Sequence, residues 1–523
     1  MNNVHGDLVD RSVVSDQKPL AKAKPSDLTQ QTISGLLWQF LGTGIELVIR
    51  IAVMILLTRL LAPAEFGVVA AATVLVNFTK ILAQLGIAQS VVQLPDLKDG
   101  EIQTGFAFSI WLGALLTVAT FLGAGPLASL FDIDGLQPVI AAFSTSFLLA
   151  APAIMPFALL QRRRRYRAIA GIDAMSFALG LGIVGVTMAV LGFGVWALVA
   201  GQLAQVGART VLLLIWQRHP KSLLVKLSYL KRLLTSGVGF SIGLFGNFVA
   251  LNIDNFAVGR WMGAGPLGLY SRAYNFLMVP TMLFGTVVDK VLFPAMAHVQ
   301  DDTERLTRAF RRAMAIVTMI TLPVSVVLVV LAPEFVTLVL GSRWTGMIVP
   351  FQVLAATMLF RTSYKMSDSL ARAKGAVYRR AWRQWVYAGA VFAGAVIGSR
   401  WGLGGVAVGV GAAIFLNFVL MLDLALRITG LSWGAVIGLH VRFFLAGAAV
   451  LAACWAAAFW ARSAAFHPVA VLALSGAAAV AVQGAIMMIG RPCLGADGAW
   501  AINAIRERLQ SAIRKFSARA QRT

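Results

Sequence analysis

The residues best placed to do chemistry in this sequence are charged side chains inside long apolar runs. Glu46 and Arg50 stand four apart between Thr32 and Leu57. Asp254, beside Asn252 and Asn255, lies in the run 235–257. Arg272 sits near one end of the run 270–293 and Asp289 and Lys290 near the other, while Arg361, Lys365 and Asp368 share a helical face in the run 346–368. A charge in hydrocarbon costs about 2.5–3.5 kcal/mol, so each of these faces a cavity or a partner. Glu46 and Arg50 are spaced to satisfy each other. Arg361 and Lys365 have one acid, Asp368, between them, and this imbalance predicts a cationic cavity for an anionic ligand. Arg50, Arg272, Arg361 and Lys365 are the expected cavity residues. Interhelical salt bridges and snorkelling side chains are the competing reading, and they suit Lys80 and Lys290 better. Asp173, Arg209 and Asp423 are further candidates nearer the ends of their runs.

The elements that must position these residues follow from composition. Of 523 residues, 59% are hydrophobic and 13% charged, against roughly 25% charged in a soluble domain. A helical span needs about 20 mostly apolar residues. Apolar runs at 32–57, 66–87, 104–126, 138–160, 169–191, 194–216, 235–257, 270–293, 312–332, 346–368, 381–399, 404–426, 441–461 and 468–489 predict an all-α integral membrane protein with about fourteen transmembrane helices. Pro152, Pro156 and Pro280 predict kinks.

The formal net charge of +23 would suggest nucleic acid in a soluble chain, but its distribution points elsewhere. Basic residues crowd alternate loops, such as Arg162–Arg167 and Arg372–Arg383, and are sparse in the loops between. That is the positive-inside pattern of a multi-pass inner-membrane protein with both termini cytoplasmic, and no nucleic acid is expected. Ile502, Ile505, Leu509, Ile513 and Phe516 recur at spacings of three and four among basic residues. They predict an amphipathic helix on the cytoplasmic leaflet, in contact with membrane lipids.

The sequence also repeats. Thr58–Gly67 aligns with Gly259–Gly268 at a shift of 260 − 59 = 201 residues, and Gly192–Phe193–Gly194 echoes Gly402–Leu403–Gly404 at 402 − 192 = 210. Two six-helix lobes entering the membrane in the same direction account for both echoes, with spans 1, 2, 7 and 8 lining the cleft between them. The expected organisation is a disordered tail (1–31), an N-lobe (32–216), a linker (217–234), a C-lobe (235–426), two further helices (427–490) and a cytoplasmic amphipathic tail (491–523). Gly239/Gly243 and Gly405/Gly409 mark close helix packing.

Catalytic signatures are missing. The sequence has no Walker A loop, no HExxH and no GxSxG in a strand–turn–helix context, so no catalytic residue, metal or cofactor is expected. Cys454 and Cys493 form no metal or redox spacing, and the five histidines are scattered.

The runs Gly35–Phe40, Leu57–Gly67, Asn252–Arg260, Leu267–Tyr274, Gln161–Arg167 and Gly192–Leu198 together resemble the polysaccharide-transporter (Wzx-like) branch of the multidrug/oligosaccharidyl-lipid/polysaccharide superfamily. The resemblance covers nearly all of 32–490 and is nearest to exporters of colanic-acid or succinoglycan repeat units. It implies a flippase that carries an undecaprenyl-diphosphate-linked oligosaccharide across the inner membrane by alternating access, with a polysaccharide polymerase and chain-length or export proteins as possible partners. It implies proton or sodium coupling as one option, with Glu46 and Asp254 the acids to test. A drug or small-solute antiporter of the same superfamily and a lipid II flippase are the alternatives. A glycan polymerase or ligase is disfavoured by the short outer loops.

Overall fold

The computed structural model describes residues 48–84, 87–94, 96–287, 296, 299, 301–489, 497–500 and 502. Glu46, Asp289, Lys290 and the tail positions Ile505, Leu509, Ile513 and Phe516 lie outside the described residues. Every regular element among the described residues is helical. In hydrocarbon each backbone N–H and C=O must find a partner within its own segment, and a helix achieves that.

The N-lobe contains α1 (48–60), α2 (Pro63–Gln84), α3 (Ile87–Gln93), α4 (Asp99–Leu122), α5 (Leu136–Ala150), α6 (Ile154–Arg162), α7 (Tyr166–Phe177) and α8 (Val195–Trp216). The C-lobe contains α9 (Leu227–Met262), α10 (Ala264–Val287), α11 (Thr303–Val330), α12 (Ile348–Ala356), α13 (Met358–Ala373), α14 (Val377–Gly398) and α15 (Gly402–Thr429). Two more helices follow, α16 (Trp433–Ser463) and α17 (Pro468–Ile489). Eight helical stretches among the described residues are long and apolar enough to cross a membrane.

Several local features follow from composition. Pro152 lies in a short 3-10 helical segment, 151–153, between α5 and α6, so the fourth apolar run stays helical but changes its winding at that proline. Pro280, by contrast, is contained within the continuous α10. The run 346–368 is not one helix, because α12 and α13 meet at Thr357. Residues 227–234, read from sequence as linker, are already the first turns of α9. Gly192 and Gly402 have φ of 82° and 74°, the left-handed region that favours glycine. This explains why both echoes begin on that residue.

The repeat becomes physical where the lobes meet. A Cβ placed on Gly67 of α2 would lie 1.8 Å from the carbonyl oxygen of Ala264 on α10, and one on Gly268 would lie 1.8 Å from that of Pro63. Gly67 and Gly268 are repeat partners, as are Pro63 and Ala264 (264 − 63 = 201). The contact is therefore reciprocal, as a two-fold seam requires. Each lobe also sends an aromatic side chain into the other. Phe131 is fully buried against Gly259 and stands edge-on to Phe256, with ring centroids 5.1 Å apart. Trp344 is fully buried, donates from Nε1 to the Thr58 carbonyl at 2.7 Å and meets Phe66 edge-on at 5.4 Å. Arg59 reinforces this corner by donating to the carbonyls of Leu338 and Val339.

Close glycine packing also joins α14 to α15. Gly394 meets Gly409 and Gly398 meets Gly405 with no room for a Cβ. Gly239 and Gly243 lie within α9. Ile502 is buried with Ala315, Met319, Leu359 and Phe443.

Candidate functional site

A chain of buried polar groups runs through the C-lobe beside the seam. Asp254 on α9 is 2% exposed. Its Oδ1 accepts the backbone N–H of Asn255 at 2.8 Å and its Oδ2 accepts the Tyr270 hydroxyl at 3.0 Å. Tyr270 and Tyr274 are four apart on α10, so one helical face carries both rings, with centroids 6.4 Å apart. Arg361 on α13 donates from Nη2 to the Tyr274 hydroxyl, and its guanidinium carbon lies 4.4 Å from the centre of that ring. Tyr364 and Tyr387 add two further hydroxyls within electrostatic range of Arg361. The chain has only seven tyrosines, and four of them gather here, so the cluster is a concentrated investment in neutral hydroxyls around one cation.

Arg361 is incompletely satisfied: its Nη1 is buried with no partner among the described residues. Asp368 does not relieve it, because that carboxylate is held by Arg372 at 3.2 Å and by Arg380. Arg380 comes from α14, which the spacing within α13 did not reveal. Arg272 shows a similar deficit. It leans its guanidinium on Phe66 across the seam, 4.5 Å from the ring centre, and its Nε is buried without a partner among the described residues. A cation–π contact contributes about 0.5–2 kcal/mol, while a buried unsatisfied donor costs about 1–3 kcal/mol, more when charged. An anionic ligand would correct that balance.

The structure distributes the four expected cavity cations over separate surfaces. Arg50 lies over Phe177 inside the N-lobe, 4.6 Å from the ring centre. Arg272 lies at the seam against Phe66, Arg361 against Tyr274 within the C-lobe, and Lys365 one turn further along α13. Asp254 joins Arg361 through Tyr270 and Tyr274, an association that spacing did not suggest. Three further candidates are found in ion pairs, while the side chain of Lys80 lies outside the described residues. Asp173 pairs with Arg209 at 2.6 Å, and Asp423 pairs with Arg383 and Arg427 at 3.0 Å each. Sequence reasoning missed Tyr270, Tyr274, Tyr364, Tyr387 and Trp344. The four-residue spacing of Tyr270 and Tyr274 was the available signal.

Two pseudo-symmetric helical lobes with buried cations along their seam define a multi-pass membrane transporter fold. The same fold is seen in the lipid II flippase MurJ in an inward closed conformation (TM-score 0.68, 12% identity, 87% of this chain and 98% of that one). It is also seen in an inward-facing multidrug resistance MATE family transporter of the MOP superfamily (TM-score 0.59, 18% identity, 74% and 95%). The chain belongs to the family described as polysaccharide biosynthesis protein, whose profile matches residues 56–349, more than half of its length. It is 28% identical over 356 residues to the lipopolysaccharide biosynthesis protein WzxC of Escherichia coli (strain K12), covering 67% of this chain and 71% of that protein. It is 25% identical over 307 residues to the succinoglycan biosynthesis transport protein ExoT of Rhizobium meliloti (strain 1021), covering 59% and 62%. The family and fold class read from the motifs are borne out.

Proposed function

We propose that this protein flips an undecaprenyl-diphosphate-linked oligosaccharide from the cytoplasmic to the outer leaflet of the inner membrane, by rocking its two lobes about the seam. The observation that carries this reading is the pair of buried, under-satisfied guanidiniums, Arg272 and Arg361. Arginine offers planar paired donors that match phosphate oxygens, and family membership supplies the glycan. Arg50 and Lys365 are secondary contacts, used as the lobes move. Asp254 is the described acid best placed to couple an ion to that movement, since it communicates with Arg361 through two tyrosines; Glu46 is the other coupling candidate. No chemical step is part of the cycle, and a polymerase and chain-length or export proteins act on the product.

The test measures membrane abundance and glycan export together. Arg272→Ala and Arg361→Ala are expected to lower export about ten- to a hundred-fold, the equivalent of a charge-assisted hydrogen bond, at near-normal abundance. Arg361→Lys is expected to restore part of it, because lysine presents a point charge. Normal export in both alanine variants would overturn the reading. Both termini are placed in the cytoplasm on the loop charges, and reporter fusions that are active only outside are expected to be silent at 161–167 and active near Asp134.

A further inference from the structure

The N-lobe holds a cavity of about 370 Å3 enclosed by α2, α3, α4, α5, α6 and α8, within the size range of small-molecule sites. Its polar lining is neutral: the amides of Asn77, Gln89, Gln161 and Gln202 and the hydroxyls of Ser109 and Ser146. Among the described residues the one charged lining side chain, Arg209, is bound by Asp173 at 2.6 Å and lies over Phe157, so these residues offer an anion little net attraction. Among the described residues no carboxylate lines the chamber, which disfavours a cation. What remains is a set of mixed donors and acceptors suited to hydroxyl groups. The Oε1 of Gln89 is buried there with no partner among the described residues, an acceptor waiting for a donor.

Among the described residues, the repeat-equivalent position in the C-lobe is filled. Thr73, which lines the chamber, corresponds to 73 + 201 = 274, the tyrosine that holds Arg361. The position that fills the C-lobe with a tyrosine is small in the N-lobe. Helix α2, which forms one wall, also packs on α10 at the seam, so the chamber adjoins the surface on which the lobes move.

We infer that the N-lobe chamber receives a neutral pyranose unit of the lipid-linked oligosaccharide while the C-lobe arginines hold its diphosphate. This rests on the flippase reading and assigns the two chemical parts of the substrate to different lobes.

The test uses the purified full chain in nanodiscs and three probes: undecaprenyl diphosphate, undecaprenyl-diphosphoryl-glucose and undecaprenyl-diphosphoryl-galactose. Wild-type protein is expected to bind at least one hexosyl form about tenfold or more tighter than the bare diphosphate, as a site built to hydrogen-bond hydroxyls discriminates strongly. Gln202→Leu and Asn77→Leu are expected to erase that preference and leave bare diphosphate binding unchanged. Ser146→Phe, which fills the chamber without adding a charge, is expected to do the same and serves if either leucine variant fails to fold. Arg361→Ala is expected to weaken all three probes alike. Equal binding of all probes by wild type overturns the sugar chamber and leaves the diphosphate reading standing, as does a retained preference in folded chamber variants. Binding of none of the three overturns both.

Discussion

On α2, Thr73 borders an open cavity of about 370 Å3. At the repeat-equivalent position on α10, Tyr274 is 9% exposed and carries the weight of a buried guanidinium. Among the described residues the N-lobe chamber is roomy and amide-lined, whereas the surroundings of Tyr274 in the C-lobe are filled, aromatic and charged. At the seam between them the lobes are nearly interchangeable, with Gly67 on Ala264 matched by Gly268 on Pro63. Duplicated halves have thus kept their shared contact surface and diverged in what they enclose. A transporter of a two-part substrate can use that division: the seam must close the same way from both sides, but a diphosphate and a sugar need different chemistry.

The largest expected effect comes from breaking what the lobes share. Gly67→Ala and Gly268→Ala each push a methyl group into backbone that no rotamer change can relieve. The cost is expected to exceed the about 1–3 kcal/mol of ordinary overpacking. Export is expected to be lost in both, and the two losses should match; a normal Gly268→Ala beside a dead Gly67→Ala would show that the seam is not two-fold. Next is Tyr274→Thr, which makes the C-lobe resemble the N-lobe. It removes a buried ring and strands Arg361, and is expected to cost about 3–5 kcal/mol, read as a lower melting temperature and reduced membrane abundance. Tyr270→Phe keeps the ring and removes one hydrogen bond to Asp254. Its expected cost is about 1.5–3 kcal/mol, and an unchanged melting temperature would detach Asp254 from the cluster. The smallest stability change is expected from the converse swap, Thr73→Tyr, which fills space instead of emptying it. Stability should move by less than about 1.5 kcal/mol while preference for a hexosyl lipid disappears.

Much of the fold was legible because the bilayer enforces it. Apolar runs marked where helices would stand, proline marked the change of winding at 151–153, and glycine marked the close packing of α14 on α15. The cations were legible because they are anomalous in such runs. Their partners were not. Asp368 was read against Arg361 and Lys365 on its own helix, but it is held by Arg372 and by Arg380 of the neighbouring α14. The tyrosines escaped notice because an uncharged hydroxyl in an apolar run carries no obvious cost, although buried phenols usually find partners. The chamber was harder still, because it is made of what is missing: a small side chain at 73 where the other lobe has a tyrosine.

The sequence by itself determined that this chain is helical, membrane-embedded, duplicated and charged at a few costly positions. Each of those is a property of single segments or of their self-similarity, and hydrocarbon admits few alternatives for a segment of that composition. Only the tertiary structure decided which charges are answered and which are left open. That depends on how closely helices approach and which faces they turn to one another, and in lipid this is set by small residues and side-chain packing, with no hydrophobic drive to sort one helix from the next. Arg361 reaches Tyr274, and Thr73 borders empty space, because α2 and α10 meet glycine to backbone at the seam and hold the interiors of the two lobes in register around it.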